Sequence, residues 1–362
     1  MTEKLKTLLH EQAETVDFAL PDLDSLTRTG DRRIRRRRAT GLLGGVAALA
    51  VVGGVAVTQL GGSDDVRRDA PAGEPTATAR VTWAEGSVLH WPGGSSDLGH
   101  PIRAYLPTEV GYVFTDGAGA VYSAVDGQVT RVGAISAKQP RLVADHDGSR
   151  AAWVDPSGPR PQLAVLDQGT GETRFYTDSG FDSVTALDGD TVYGQAHGTA
   201  LALDLASGTT SPVDVPSGAE VMAAEDGVIV SDTGDGDGGA DGDLVRRPDG
   251  TVVTLHQAYS SSATFSPDAR WVSIDADEPK VFDTTTGEQV EIDVAGRVFA
   301  TGFEWLAPDT LVMIASRNEN GPVELLTCTV PDDTCESTVP DLGSFSDLPA
   351  TFAFPIGIEL ED

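Results

Sequence analysis

The sequence predicts an all-β protein: a β-propeller of about seven blades outside the membrane, preceded by a single N-terminal transmembrane helix and a short cytosolic helical tail. Three observations support this prediction. Residues 32–38 hold an arginine cluster, residues 41–60 form an uncharged apolar run, and residues 80–362 repeat a strand-and-turn pattern about every 40 residues. We therefore divide the chain into a cytosolic tail (1–38), a membrane anchor (39–60), a disordered linker (61–79) and the propeller domain (80–362).

The arginine cluster sets the expected orientation of the anchor. Positively charged residues next to a membrane span stay in the cytoplasm, and here they are Arg32, Arg33, Arg35, Arg36, Arg37 and Arg38. The run 41–60 would form about 30 Å of helix, enough to cross the hydrocarbon core. The segment before it is too long for the basic region of a cleavable signal peptide. We expect an uncleaved signal anchor in a bacterial cell membrane, with the propeller extracytoplasmic.

The cytosolic tail carries a short amphipathic pattern. Leu5, Leu8, Leu9 and Val16 recur at helical spacing among polar residues. Two interpretations stay open. The tail either serves only to orient the anchor, or folds on a cytosolic protein as a short docking element.

The acidity of the chain belongs to its outer part. The net charge is −31 overall; residues 1–60 carry +2 and residues 61–362 carry −33. Such a surface repels nucleic acid and anionic lipid headgroups, so the sequence argues against both as partners of the outer part.

The sequence of the outer part predicts a series of short strands separated by tight turns. Apolar runs with strand-like alternation begin at Gly111, Ala151, Thr191, Gly227, Trp271 and Thr310. The turns that punctuate the repeat fall at Gly94, Gly127, Gly171, Gly208, Gly250, Gly287 and near Asp333. A period near 40 residues is the length of a four-stranded blade, so seven blades are expected, with six or eight as alternatives. The segment 350–360 resembles a strand that closes the ring against the first blade.

Two segments resemble the WD40-like propeller repeat. They are Thr264-Phe-Ser-Pro-Asp-Ala-Arg-Trp-Val-Ser-Ile with Val281-Phe-Asp-Thr-Thr-Thr-Gly-Glu, and Val143-Ala-Asp-His-Asp-Gly-Ser-Arg-Ala-Ala-Trp-Val with Val165-Leu-Asp-Gln-Gly-Thr-Gly-Glu. The Gly-His and Trp-Asp pairs of true WD40 repeats do not recur. The resemblance implies a propeller that acts as a binding platform, and it implies no particular chemistry.

The densest polar segment is a weak candidate for calcium. It contains Asp232, Asp235, Asp237, Asp241 and Asp243 between glycines, and alternating carboxylates can wrap a hard cation. Aligned on Asp235, the EF-hand pattern fails, because its fifth and sixth positions hold Gly239 and Ala240. A flexible, solvated hairpin loop is therefore the favoured interpretation.

The two cysteines predict a disulfide. Cys328 and Cys335 flank a Pro-Asp-Asp turn, which suits two facing strands of a hairpin in an oxidising compartment. A metal site would need further ligands, and no histidine lies nearby in the sequence.

The sequence offers little support for catalysis. It contains no nucleophile elbow, no zinc-protease helix and no phosphate-binding glycine loop, and its outer histidines are scattered over several repeats. We expect a non-enzymatic binding or scaffold module without a cofactor, whose partner is an extracytoplasmic protein or small ligand. One alternative is a transmembrane sensor whose cytosolic tail binds a transcription regulator such as a sigma factor. Another is a propeller hydrolase or lactonase with a metal on its axis.

Overall fold

The computed structural model describes residues 80–232, 242–256, 262–275, 280–318, 321–344 and 352–359. All of the described residues belong to one compact unit. The cytosolic tail, the arginine cluster, the apolar run and the linker all precede residue 80 and stay predictions. Among the described residues, no helix is long and apolar enough to cross a membrane.

Regular structure in the described ranges consists of β-strands, which follow the chain in short, turn-separated segments. In chain order they are β1 (Trp83–Glu85), β2 (Val88–Trp91), β3 (Gly94–Asp97), β4 (Ala104–Thr108), β5 (Gly111–Thr115), β6 (Ala120–Val125), β7 (Gln128–Ala134), β8 (Val143–Ala144), β9 (Arg150–Asp155), β10 (Gln162–Asp167), β11 (Glu172–Tyr176), β12 (Ser183–Asp188), β13 (Thr191–Ala196), β14 (Thr199–Asp204), β15 (Thr209–Pro212), β16 (Val221–Glu225), β17 (Val228–Ser231), β18 (Asp243–Arg246), β19 (Val252–Leu255), β20 (Ala263–Phe265), β21 (Trp271–Ile274), β22 (Lys280–Asp283), β23 (Gln289–Val290), β24 (Phe299–Ala307), β25 (Thr310–Ser316), β26 (Val323–Thr329), β27 (Thr334–Val339) and β28 (Phe352–Ala353).

The described strands pair into seven antiparallel sheets of four strands each. Blades 2 to 7 each use four consecutive strands, starting with β4, β8, β12, β16, β20 and β24. These first strands contact one another in that order, so they are the innermost strands of the ring. The arrangement is a seven-bladed β-propeller and confirms the predicted all-β propeller. The predicted transmembrane helix and cytosolic tail lie outside the described residues.

Blade 1 closes the ring by joining the two ends of the domain. Its innermost strand is β28, followed outwards by β1, β2 and β3. The closing pairs are Ala84 with Ala353 and Glu85 with Phe352. The expected closing strand is confirmed, although it is shorter than the segment 350–360 suggested.

The repeat pattern in the sequence corresponds to fixed places in the blade. The six apolar runs overlap the second strands of blades 2 to 7, which are β5, β9, β13, β17, β21 and β25. The seven turns lie at or beside the hairpins that join the third and fourth strands. At Asp126 and Gly127, for example, φ is 50° and 73°, the left-handed pair that a two-residue type I′ hairpin requires.

The apolar core of the described part is divided among the spaces between blades. It consists of seven clusters, each drawing its buried side chains mainly from two neighbouring blades. Trp153 is fully buried between blades 2 and 3, and Trp305 between blades 6 and 7. Burial of such large surfaces holds neighbouring blades together.

The predicted disulfide is present. Cys328 on β26 lies opposite Cys335 on β27, and their sulfur atoms are bonded. It joins the two outermost strands of blade 7, beside the cluster that contains Trp305.

We predict that replacing both cysteines by alanine lowers the free energy of unfolding by about 2 to 3 kcal/mol, because a closed loop of this size restricts the unfolded chain. Urea denaturation of the full-length protein in detergent, followed by tryptophan fluorescence, measures the change. A thiol reductant should destabilise the wild type by a similar amount and leave the double variant unaffected. A wild type that is insensitive to the reductant would contradict the prediction.

Candidate functional site

One face of the ring carries the turns that leave the innermost strands. These turns follow β4, β8, β12, β16, β20 and β24, and because the blades share one strand order they lie around the axis at the same end of their strands. We call this surface the inner-turn face. Connections between strands are where propellers and other rigid scaffolds carry binding residues.

Five carboxylates gather on the inner-turn face where blades 3, 4 and 5 meet. Glu225 lies close enough to four aspartates for their charges to raise its pKa. We call this group the acidic mouth, and its members are Asp145, Asp147, Asp188, Glu225 and Asp226.

Two of these carboxylates tie neighbouring blades together. Asp145, which follows β8, accepts a hydrogen bond from the backbone N–H of Gly189 in the next blade. Asp188, the last residue of β12, accepts one from the backbone N–H of Gly227, with 2.7 Å between nitrogen and Oδ2. A carboxylate that accepts a backbone N–H forms a strong, charge-assisted hydrogen bond. These bonds link blade 3 to blade 4 and blade 4 to blade 5.

Glu225 occupies the corresponding position at the end of β16 but makes no such link. No hydrogen bond or ion pair joins its side chain to the part of the chain that the structure describes. The residue is nevertheless only 8% exposed. The Glu225 oxygens are not among the fully buried unpartnered atoms of the described residues, unlike those of Glu304, so the carboxyl group keeps contact with solvent. Partial burial of a carboxyl group without a hydrogen-bond partner still penalises its charged form.

The surroundings of Glu225 favour its neutral form. Burial is the largest cause, the four aspartates of the acidic mouth add to it, and together they raise the pKa of Glu225 to about 9. Burial also raises the pKa of Asp145, although the N–H of Gly189 opposes the shift. At neutral pH the Glu225 carboxyl group therefore holds a proton.

The turn that presents Glu225 is tightly defined. Asp226 and Gly227 have φ of 50° and 71°, so they form a two-residue hairpin loop between β16 and β17. Asp226 is exposed beside the buried Glu225. The two adjacent acidic residues thus differ in exposure: Asp226 lies at the surface of the acidic mouth and Glu225 lies below it.

A histidine spans the ring beside the acidic mouth. The His146 Nε2–H donates to the carbonyl oxygen of Trp305 at 2.8 Å, and Nδ1 lies 3.0 Å from Oδ1 of Asp147. Trp305 is itself held by its indole N–H, which donates to the carbonyl of Thr264. His146 belongs to blade 3 and Trp305 to blade 7, so this contact joins blades that are not neighbours.

Two other buried glutamates show how an ion pair changes the pKa of a buried carboxyl group. Glu324 is 4% exposed, and the guanidinium of Arg297 contacts both of its oxygens. This contact is the main cause that lowers the pKa of Glu324. Glu304 is 6% exposed, its oxygens have no hydrogen-bond partner among the described residues, and burial raises its pKa well above the usual range. Unlike Glu225, Glu304 has no acidic cluster among the causes of its shift.

The residues proposed for calcium are only partly described. Asp232 accepts a hydrogen bond from the backbone N–H of Glu220, with 2.6 Å between nitrogen and Oδ1, and Asp243 is buried at the start of β18. Asp235, Asp237 and Asp241 lie outside the described residues. The calcium hypothesis and the arginine cluster are therefore not tested by this structure.

The hydrolase alternative requires a metal on the axis. His146 and the acidic mouth do bring histidine and carboxylates together on one face. Among the described residues, however, no three His, Cys, Asp or Glu side chains are arranged to hold a metal ion. In the described part of the chain, this face therefore carries a cluster of acidic groups but no arrangement of ligands for a metal ion.

The acidic mouth was not identified from the sequence, although a signal for it exists. Asp145, Asp188 and Glu225 lie at or just after the end of the first strand in three successive repeats, about 40 residues apart. Their shared place in the repeat puts them on one face. Nothing in the spacing distinguishes the two carboxylates that bond to the next blade from the one that does not.

The comparisons with known proteins leave the family open. No protein-family model matches this chain. No curated protein matches it either.

Solved structures with a similar fold were found at low identity. TolB from Acinetobacter baumannii is 14% identical and the match covers 77% of this chain and 67% of that one, with a TM-score of 0.45. Kluyveromyces lactis Hsv2 is 12% identical over 62% and 74%, with a TM-score of 0.43. An oligogalacturonate lyase in complex with manganese is 14% identical over 62% and 75%, with a TM-score of 0.42. The description of the propeller rests on the strand pairing of this chain itself.

We predict that Glu225→Gln stabilises the protein increasingly as pH rises. Between the unfolded pKa near 4.5 and the folded pKa of about 9, the folded wild type keeps a proton that the unfolded chain releases. Ionisable Glu225 therefore lowers the stability of the wild type by up to about 1.4 kcal/mol per pH unit in this window, and the glutamine variant lacks this contribution.

Thermal unfolding of both proteins at pH 5 to 9 tests this. The difference in Tm, variant minus wild type, should widen with pH, because Glu304 contributes equally to both proteins and cancels. Glu336→Gln, which neutralises an exposed glutamate on β27, is the matched control and should show a nearly constant difference. Parallel curves for Glu225→Gln and wild type would refute the prediction.

Proposed function

We propose that this chain is a single-pass membrane protein whose extracytoplasmic propeller is a non-enzymatic binding module, with the inner-turn face as its binding surface. The observation that carries the proposal is Glu225, a buried carboxyl group without a partner in the described part of the chain, placed among four aspartates from three blades.

The energetic cost of Glu225 supports a functional interpretation. A residue that served the fold alone would gain from a hydrogen-bond partner, as Asp188 does. Strongly shifted pKa values that arise from burial and a cluster of like charges concentrate at functional sites. The acidic mouth has both properties and lies on a face built from turns.

The membrane location in this proposal comes from the sequence. The arginine cluster and the apolar run 41–60 predict the anchor and its orientation. The linker 61–79 would then separate the propeller from the bilayer. The high negative charge of the outer part would keep the propeller away from anionic lipid headgroups and leave its face accessible to other proteins.

A second candidate function is favoured by the cytosolic tail. The helical spacing of Leu5, Leu8, Leu9 and Val16 exceeds what a topology signal needs. In this alternative the tail binds a transcription regulator such as a sigma factor while the propeller senses an outer ligand. A single helix on a flexible linker transmits rigid motion poorly, so such signalling would run through association or proteolysis.

Mild cross-linking in the native membrane, followed by purification, distinguishes these functions. We expect the full-length protein and a variant that lacks residues 2–30 to capture the same extracytoplasmic partner, because the propeller is intact in both. A cytosolic regulator captured by the full-length protein alone would establish the sensor function instead. If neither form captures any extracytoplasmic partner or ligand, the binding-module proposal fails.

A further inference from the structure

We propose that the acidic mouth binds a basic side chain, the guanidinium of arginine or the ammonium of lysine, presented by an extracytoplasmic protein, and that Glu225 is the carboxylate that receives it. This inference rests on the proposed function, because it names the chemistry of the partner at the same face.

The charge expected of the ligand follows from the groups that surround Glu225. From the turn after β8 come Asp145 and Asp147, from the end of β12 comes Asp188, and from its own turn comes Asp226. All are carboxylates, so an anion would be repelled and a cation attracted.

One arginine acts on this cluster: the positive charge of Arg150 lowers the pKa of Asp145, but it is not among the causes that shift the pKa of Glu225. Arg150 makes an ion pair with Asp190, beside the mouth, and its Nη1 also donates to the carbonyl of Gly189. In the neighbouring turn of blade 6, Arg270 lies over the ring of Trp271. Asp268, in the same turn, accepts a hydrogen bond from Ser266. Neither Arg270 nor Asp268 is among the causes that shift the pKa of Glu225.

The geometry favours an organic cation over a metal ion. A metal needs several ligands within one coordination sphere, and the described residues offer no such group of three. A guanidinium carries five N–H donors on a flat group, and an ammonium carries three, so either can satisfy carboxylates that stand further apart.

The depth of the site favours a long side chain. The Asp147 side chain is 65% exposed and Asp226 is exposed at the rim, whereas Glu225 is only 8% exposed. Arginine and lysine carry their charge at the end of a flexible apolar stem, which can pass the rim and bring the charge to a buried partner. The buried carboxylate would then gain the hydrogen bonds that the described part of the chain does not supply.

Binding of this kind must release a proton at neutral pH. The free carboxyl group of Glu225 is protonated, because its pKa is raised to about 9. A nearby cation stabilises the carboxylate and lowers that pKa, so the proton passes to the solvent as the cation enters. The carboxyl O–H bond breaks, the carboxylate keeps the electron pair, and the incoming N–H groups donate to it. Affinity should therefore rise with pH up to about 9.

Titration calorimetry on the full-length protein in detergent micelles tests the inference. The probe is the peptide acetyl-Gly-Arg-Gly-Arg-Gly-amide, with the same peptide containing citrulline, a neutral isostere of arginine, as its control. At pH 7.5 we expect the arginine peptide to bind with release of about one proton, detected by comparing buffers of different ionisation enthalpy. The citrulline peptide should not bind.

Three variants distinguish binding at this site from general electrostatic attraction to an acidic protein. Glu225→Gln should weaken binding on the order of tenfold or more and abolish proton release. Asp226→Asn keeps a residue that tolerates the left-handed turn and should weaken binding less while retaining the release. Asp309→Asn, in the blade 7 turn of the same face, makes the same change in net charge and should bind like the wild type.

Several results would contradict the proposed binding of a basic side chain. Equal affinities for Glu225→Gln and Asp309→Asn would overturn the inference, as would tight binding of the citrulline peptide. Spermidine that binds as well as the arginine peptide would assign the site to a free polyamine and refute the side-chain ligand. Calcium binding that depends on Glu225, without peptide binding, would also refute it. Cross-linking to an extracytoplasmic partner that Glu225→Gln leaves unchanged would preserve the binding module while rejecting this site.

Discussion

Closure of the ring by β28 is the interaction on which the arrangement of the other blades depends. A propeller sheet buries both faces only when it has a neighbour on each side, so an open ring would expose the apolar faces of blades 1 and 7. Here two residue pairs, Ala84 with Ala353 and Glu85 with Phe352, join the ends of the domain. Each of the seven apolar clusters in the described part then fills one space between blades. The inner turns take fixed places around the axis as a consequence.

The same constraint explains why acidic residues at one position of the repeat have different roles. Asp145 and Asp188 stand at the inner turns of blades 3 and 4 and bond to the following blade. Glu225 stands at that place in blade 5, buried and without a partner in the described residues. Asp188 thus stabilises the contact between blades 4 and 5. Burial disfavours the charged forms of Asp145 and Glu225. His146 adds a contact across the ring to Trp305, which fixes one side of the mouth.

The sequence predicted the fold because the propeller is a local, repeated pattern. Strand alternation, Asp-Gly turns and a period near 40 residues located the second strand and the outer hairpin of most blades, and the spacing of Cys328 and Cys335 predicted the disulfide. The site was not predicted because it depends on contacts between blades. Asp188 and Glu225 occupy the same place in the repeat, and the structure shows that Asp188 accepts a hydrogen bond from the N–H of Gly227, 39 residues away. The sequence instead indicated the dense aspartate segment around Asp235, because composition detects only carboxylates that are close together along the chain.

Glu225 keeps its proton at neutral pH and releases it to the solvent when a cation binds. Infrared difference spectroscopy on the full-length protein in detergent, wild type minus Glu225→Gln, observes this group directly. We expect the wild type at pH 7 to show the carbonyl stretch of one additional protonated carboxyl group. That band should convert to carboxylate bands near pH 9, and at pH 7 on addition of the arginine peptide. A difference spectrum at pH 7 that already shows an ionised carboxylate in the wild type would contradict it.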